Sequence, residues 1–288
     1  MSVQSLSVVV PSNSCINACK FCCACMICED YKNQMDENLP FYDLYLQDYL
    51  KRLEYCRDLG INTVMLTGNC EPQQNRKFLM MFGLFNKMLQ KPFRNIEMQT
   101  TGTLLDQNYL RFLRNHVGVN TISLSVSSFN DDQNNEYIHS AKHIHLKDLC
   151  SLIKQYDFTL RLSINLTDAF EHPWQPEDIF AYAKSLGADQ ITFRVLYASS
   201  TLGDINEWIN EHRMSDRAVL RISDYIRQKG YKLGVLPFGN VKYSVLGMST
   251  VLDEDCMSTE ASEDQKYYIL RPDCKLYSLW DDPASLIF

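Results

Sequence analysis

Six short apolar runs, each followed by a stretch of helical periodicity, predict an α/β chain built on a parallel sheet. Length agrees: 288 residues suffice for one large α/β domain with an appendage, or for two small domains. After residue 200 the alternation stops, and a helix followed by short strand-like pieces takes its place. Short parallel strands close naturally into a full or partial barrel. The expected architecture is therefore a partial (β/α)6 TIM-like barrel over residues 1–200, with a helix and a β-rich extension over 201–288 closing it.

Each element has its own signal. Leu6 to Val10 is an apolar, β-branched run that reads as a buried strand. From Tyr42 the pattern turns helical, with Tyr45, Leu46, Tyr49, Leu50, Leu53 and Cys56 on one face and Gly60 as the stop. Asn62 to Leu66 is the second strand, and Phe78, Met81, Phe82 and Phe85 mark the next helix. Ile96 to Thr100 is the third strand, and Asp106 suits a helix cap after it. Thr121 to Val126 is the fourth, followed by a helix carrying Leu146, Leu149, Cys150 and Ile153. Thr159 to Asn165 is the fifth, followed by Ile179, Ala183 and Leu186 with Gly187 as the stop. Gln190 to Leu196 is the sixth. Ser215 is placed to cap a helix ending near Gly230, and the stretch from Tyr267 to Trp280 reads as a hairpin about Pro272-Asp273.

Composition excludes several classes. The chain is 45% hydrophobic and 22% charged, with a net charge of −7 and no basic block, so non-specific nucleic-acid binding is not expected. The N-terminus carries no basic segment or long apolar run, so neither a signal peptide nor a membrane span is expected, and a cytoplasmic setting follows. Of 11 cysteines, six crowd into residues 15 to 28. That pattern is not a disulfide framework. It reads as reduced thiols with metal among them.

The decisive stretch is Ser14-Cys15-Ile16-Asn17-Ala18-Cys19-Lys20-Phe21-Cys22, three thiols spaced C-x3-C-x2-C with an aromatic before the third. Three thiolates hold three irons of a four-iron, four-sulfur cluster and leave the fourth open, whereas electron-transfer clusters use four. This spacing resembles the signature of the radical S-adenosylmethionine (radical SAM) superfamily. The resemblance implies that Cys15, Cys19 and Cys22 bind a [4Fe-4S] cluster, with Phe21 beside it. It also implies that the reduced cluster cleaves SAM to methionine and a 5′-deoxyadenosyl radical, oxidoreductase chemistry that needs a donor such as flavodoxin or ferredoxin.

Chemistry in parallel barrels sits at the C-terminal strand ends, and here those ends are polar. Strand two runs out through Thr67-Gly68-Asn69-Cys70-Glu71-Pro72, similar to the family's glycine-rich turn ending Glu-Pro, which implies that its backbone carbonyls and Glu71 hold the SAM amine, with Cys70 where a glycine is common. Strand four ends with Ser123, Ser125 and Ser127 on one face, a hydroxyl row suited to a ribose. Strand five places Arg161, Ser163 and Asn165 on one face. A buried arginine needs an anion, either the SAM carboxylate or a neighbouring acid. Val195 is a candidate adenine contact. Arg194, Tyr277 and Trp280 are candidates for the substrate pocket.

The other thiols and histidines need less. Cys56 and Cys150 fall on apolar helix faces and are expected in the core. Cys23, Cys25 and Cys28 directly follow the triplet, so a second metal site is conceivable there, whereas Cys256 and Cys274 are too few by themselves for a four-thiolate site, and buried or incidental thiols are the first expectation. His139, His143 and His145 suit solvated or capping roles. The expected substrate is a small molecule or nucleotide, with a peptide or protein as the alternative. A structural zinc protein is the rival from another class.

Overall fold

The computed structural model describes residues 3–12, 14–26, 46–198, 203–254, 265–280 and 282–288. Tyr42, Tyr45, Cys28 and Cys256, named above, lie outside them. The expected alternation is present. Strands β1 (Val3–Val9), β2 (Thr63–Thr67), β3 (Asn95–Thr100), β4 (Thr121–Val126), β5 (Thr159–Leu166) and β6 (Gln190–Val195) lie side by side in chain order, all parallel. Helices α1 (Leu46–Asp58), α2 (Arg76–Met88), α3 (Gln107–Phe112), α4 (Asp131–Ile138), α5 (Leu146–Gln155) and α6 (Pro176–Ser185) fill the crossovers. Several stops and caps act as their residue types dictate. Gly60 and Gly187 have φ of 87° and 82° beyond α1 and α6, and Asp106 accepts from the Tyr109 amide at 2.7 Å.

Helix α4 is absent from the sequence reading. Its residues, Asp131-Asp132-Gln133-Asn134-Asn135-Glu136-Tyr137-Ile138, have no apolar period, and Asn130 caps it through the Gln133 amide. Helix α7 (Gly203–His212) is likewise unforeseen, whereas α8 (Asp216–Lys229) starts at Ser215 as expected.

The segment after residue 200 does more than append a β-rich piece. Strand β9 (Met248–Asp253) pairs parallel to β6, and β10 (Gln265–Leu270) pairs parallel to β1. Eight parallel strands result, in the order β10-β1-β2-β3-β4-β5-β6-β9. Strands β7 (Tyr231–Val235) and β8 (Val241–Val245) add an antiparallel meander outside β9, and β11 (Leu276–Tyr277) closes the hairpin about Pro272-Asp273 outside β10. The hydrogen-bonded ladder does not join β9 to β10. There Lys266 Nζ donates to both oxygens of Asp253, at 2.7 and 2.9 Å.

Alternation along each strand separates two environments. Leu6, Val8, Val64, Leu66, Ile96, Met98, Ile122, Leu124, Leu160, Leu162, Ile191 and Phe193 pack outward against the helices in one continuous core. Each such buried side chain contributes about 1.5–3 kcal/mol relative to exposure. Cys56 and Cys150 are in that core. Many inward positions are polar instead: Ser5, Ser7, Glu97, Gln99, Arg161, Gln190, Thr192 and Arg194, with apolar Val9, Met65 and Val251 among them, line a cavity of about 350 Å³. A barrel that packed its lumen with branched apolar side chains would leave no such space. Among the described residues, no helix is long and apolar enough to cross a membrane.

Candidate active site

The cysteine loop leaves the C-terminal end of β1 and is pinned on three sides. The turn after β2 holds it first: Gln74 accepts from the Ile16 amide at 2.8 Å and donates to the Ser14 carbonyl at 3.0 Å, while Asn75 donates to the Pro11 carbonyl at 2.8 Å. Beyond β3, buried Asn17 donates to Thr101 Oγ1 at 2.9 Å and accepts from Thr103 Oγ1 at 3.0 Å. On the far side, the Lys20 amide donates to the Tyr137 carbonyl at 3.0 Å and the Ala18 amide to that of His139 at 3.4 Å. His139 is in the left-handed region, φ 47°, as the C-cap of α4, so its expected capping role is met. Gly68 has to be glycine for a steric reason: a Cβ there would lie 2.7 Å from the Val10 carbonyl oxygen. The β2 turn therefore lies directly against the root of the cysteine loop.

Within the loop, the Cys22 amide donates to the Cys19 carbonyl at 3.2 Å. Burial pushes the Cys19 thiol up to about 12, with the Cys15 sulfur and the Glu71 carboxylate adding to the effect. The Cys22 thiol is pushed up first by its hydrogen bond with Cys25, then by burial. These upward shifts favour the protonated thiols when no metal is bound, so metal binding would have to displace their protons, and it is the spacing of three thiols on one pinned loop that suits a cluster. The donor set therefore fits a cluster held by Cys15, Cys19 and Cys22. Among the described residues, no three His, Cys, Asp or Glu side chains converge closely enough to hold a single metal ion. A cubane cluster spaces its thiolates more widely than one ion does.

Glu71 is buried and already engaged. Thr100 Oγ1 donates to its Oε1 at 2.5 Å, and the Thr101 amide and hydroxyl donate to its Oε2 at 3.0 and 2.7 Å. Burial raises its pKa, and these hydrogen bonds oppose the rise. Pro72, next in the chain, opens a short 3-10 turn leading into α2. Of the acceptors left without a hydrogen-bond partner in this turn, Gln73 Oε1 and Asn69 Oδ1, the latter belongs to a residue that lines the cavity beside Gly68. An ammonium group supplies the donors such an oxygen lacks.

The other strand ends come together as their spacing implied. Asn165 Nδ2 donates to Ser125 Oγ and to Ser127 Oγ, each at 3.0 Å. Val195 is half-buried at the end of β6. Phe21 packs against Trp208 of α7 with ring centroids 6.0 Å apart, and Trp208 meets Tyr137 edge-on at 5.1 Å. Tyr137 donates to Asp168 at 2.9 Å, and His212 contacts the other oxygen of that acid at 3.0 Å. Reasoning from sequence missed Asn17, Gln74, Asn75, Tyr137, Asp168 and Trp208. The polar run Gln73-Gln74-Asn75 directly after Glu71-Pro72 was the one local signal for any of them.

The arginines behave differently from each other. Arg161 has a protein anion: it pairs with Glu97, and its Nε donates to Gln190 at 2.8 Å. It sits four residues before Asn165 on β5, about 13 Å back along the strand at about 3.3 Å per residue. The neighbouring-acid alternative is thus the geometry seen, and the C-terminal strand ends lie away from it. Arg194 faces the cavity, as does Trp280, which stands edge-on to Tyr267 at 5.9 Å. Tyr277 does not line it. Its hydroxyl donates to Asp273 at 2.7 Å and its ring lies under the Arg271 guanidinium at 3.6 Å, so it packs the hairpin. Cys23 lines the cavity, and Cys274 is buried in the core.

Comparison with known proteins fits this arrangement. Residues 9–159 match the sequence model described as the Radical SAM superfamily. No curated protein matches at the level of sequence. Among solved structures, Streptococcus suis SuiB bound to S-adenosylmethionine superposes with a TM-score of 0.57 at 12% identity, over 96% of this chain and 60% of that one. The anSMEcpe protein with bound AdoMet gives 0.53 at 15% identity, over 96% and 74%. Escherichia coli coproporphyrinogen III oxidase, HemN, described as a radical SAM enzyme, gives 0.51 at 15%, over 81% and 54%. The chain thus spans about three fifths of the length of SuiB, and at these identities the likeness is one of fold. With the three-thiol loop at the end of β1, the parallel barrel and the match across more than half its length, the chain belongs to the radical SAM superfamily, whose members use a [4Fe-4S] cluster and S-adenosylmethionine.

Proposed function

We propose that this chain binds SAM over the C-terminal ends of β1 to β6 and abstracts hydrogen from a small-molecule or nucleotide substrate held in the barrel. One observation carries this reading: the pinned cysteine loop stands at the rim of a cavity of about 350 Å³ with a mixed polar and apolar lining, with Cys23, Ala24, Gly68 and Asn69 on its wall. That is the size range of small-molecule pockets. When bound, the cluster supplies one electron that splits SAM into methionine and the 5′-deoxyadenosyl radical, which takes a hydrogen atom from the substrate.

The protein's part is to bind, orient and exclude water. Cys15, Cys19 and Cys22 hold the cluster. Asn69 Oδ1, with the Gly68 backbone, receives the SAM amine, and Glu71 and Pro72 fix the turn that presents them. Ser125, Ser127 and Asn165 form a preassembled hydroxyl and amide set for the ribose. Val195 and Phe21 flank the adenine. Trp280 lines the substrate space. A small electron-transfer protein of the flavodoxin or ferredoxin kind supplies the electron, in the reducing cytoplasm where such thiols persist.

The test begins with reconstituting the protein anaerobically and titrating SAM and dithionite against it. Brown protein with about four irons per chain is expected, together with slow release of 5′-deoxyadenosine. Replacing Cys15, Cys19 and Cys22 together with Ala should abolish both the colour and the release. A colourless zinc protein, or full iron in the triple variant, would overturn the assignment.

A further inference from the structure

The cavity wall carries an excess of positive charge in a chain whose net charge is −7. Four cations line it, Arg161, Arg194, Lys242 and Lys266, against two carboxylates, Glu97 and Asp253. Both carboxylates are already engaged. Glu97 pairs with Arg161, and Asp253 accepts from Lys266 through both oxygens. Asp253 is the register partner of Arg194 across β6 and β9, so it is the natural acid for that arginine. It is turned to Lys266 instead.

Arg194 is left with a buried Nε that has no hydrogen-bond partner, and among the described residues no acid reaches its guanidinium. A guanidinium does not shed its proton to escape such a position. Lys242, half-buried two strands away on β8, also lacks an acid partner among the described residues and faces the same space. Uncompensated charge in a barrel lumen is costly, and the fork of an arginine matches the planar or tetrahedral oxygens of a carboxylate or phosphate.

We infer that Arg194 is the anchor of the substrate site, so that the substrate is a small anion whose carboxylate or phosphate group binds Arg194, with Lys242 as the second positive contact. This rests on the barrel cavity being the substrate site, as proposed above. The carboxylate of SAM has the same chemistry and is the other possible source of the anion. The experiment separates the two.

Inorganic phosphate and malonate serve as probes, titrated calorimetrically into the cluster-loaded protein without reductant or SAM. No turnover is needed, so a failure of anion binding is distinguishable from a failure of SAM cleavage. Saturable binding is expected in the wild type. In Arg194→Gln it should weaken by about tenfold or more, the scale of one charge-assisted contact. A smaller loss is expected in Lys242→Gln, partial retention in Arg194→Lys, and no change in Lys232→Gln on exposed β7. SAM affinity should be unaltered in Arg194→Gln. Should the variants fold poorly, the wild type gives the second reading: phosphate should protect Arg194 from phenylglyoxal, scored by mass spectrometry. No saturable binding, equal binding in Arg194→Gln, a parallel loss of SAM affinity there, or no protection of Arg194 would each overturn the inference.

Discussion

At Arg161 the guanidinium meets Glu97 and Gln190 near the start of β5, four residues short of the Asn165 amide that gathers Ser125 and Ser127. Glu97 is almost wholly buried, so removing its partner leaves an uncompensated charge in the barrel. Arg161→Ala should therefore cost about 3–5 kcal/mol in denaturant unfolding while leaving SAM affinity within about twofold of wild type. A large loss of SAM affinity at unchanged stability would reverse that assignment. The residue types at the site were legible in the sequence because alternation alone sorts Ser123, Ser125 and Ser127 from Leu124 and Val126. Which anion Arg161 meets was not, because the choice depends on the stagger between β3 and β5, two strands apart. Asn17 was hidden for the same reason, since its partners Thr101 and Thr103 are more than 80 residues away.

Helix α8 shows how an element is fixed by its first turn. Ser215 Oγ accepts from the Ala218 amide at 3.3 Å, and its own hydroxyl and amide donate to Glu171 at 2.6 and 3.0 Å. Those two hydrogen bonds hold the Glu171 carboxyl below the usual carboxylate range. Ser215→Ala should lower the stability of the cluster-free protein by about 1 kcal/mol at neutral pH. A depressed folded pKa means stabilisation that is present above the unfolded value of about 4.3 and lost as pH falls through the folded one. The gap between wild type and variant in urea unfolding should therefore narrow below about pH 4. A gap that widened on acidification would contradict the Glu171 link. Ser215 was visible in the sequence as a cap, and Gly60, Gly187 and Asp106 likewise. Helix α4 was not, because Asp131 to Ile138 offers no apolar stripe. It is held by Asn130, by Asn134 on the Ser127 and Ser128 amides, and by Asn135 on Ile144.

For the whole molecule, the arrangement of β10, β1 to β6 and β9 makes the ends of the chain part of one barrel. Six of those strands were readable because each carries its own apolar run and is followed by a helix pattern. The pairing of the two flanking ones was not, although the hairpin that contains β10 was legible: nothing local in Met248 to Asp253 or Gln265 to Leu270 says that the partner is β6 or β1. The seam between them is the buried Lys266–Asp253 pair. Lys266→Met should destabilise the fold by about 3–5 kcal/mol, and adding Asp253→Leu should recover much of the loss. Equal unfolding of the single variant and wild type would show that the seam bears no load. Order of synthesis adds a consequence. Ser5 of β1 donates to the Lys266 carbonyl, 261 residues later, so the strand that launches the cysteine loop has one open edge until β10 has been synthesised. Such high contact order delays the native barrel. A nascent chain stalled before β10 would present its thiols beside a β1 strand with one edge still open.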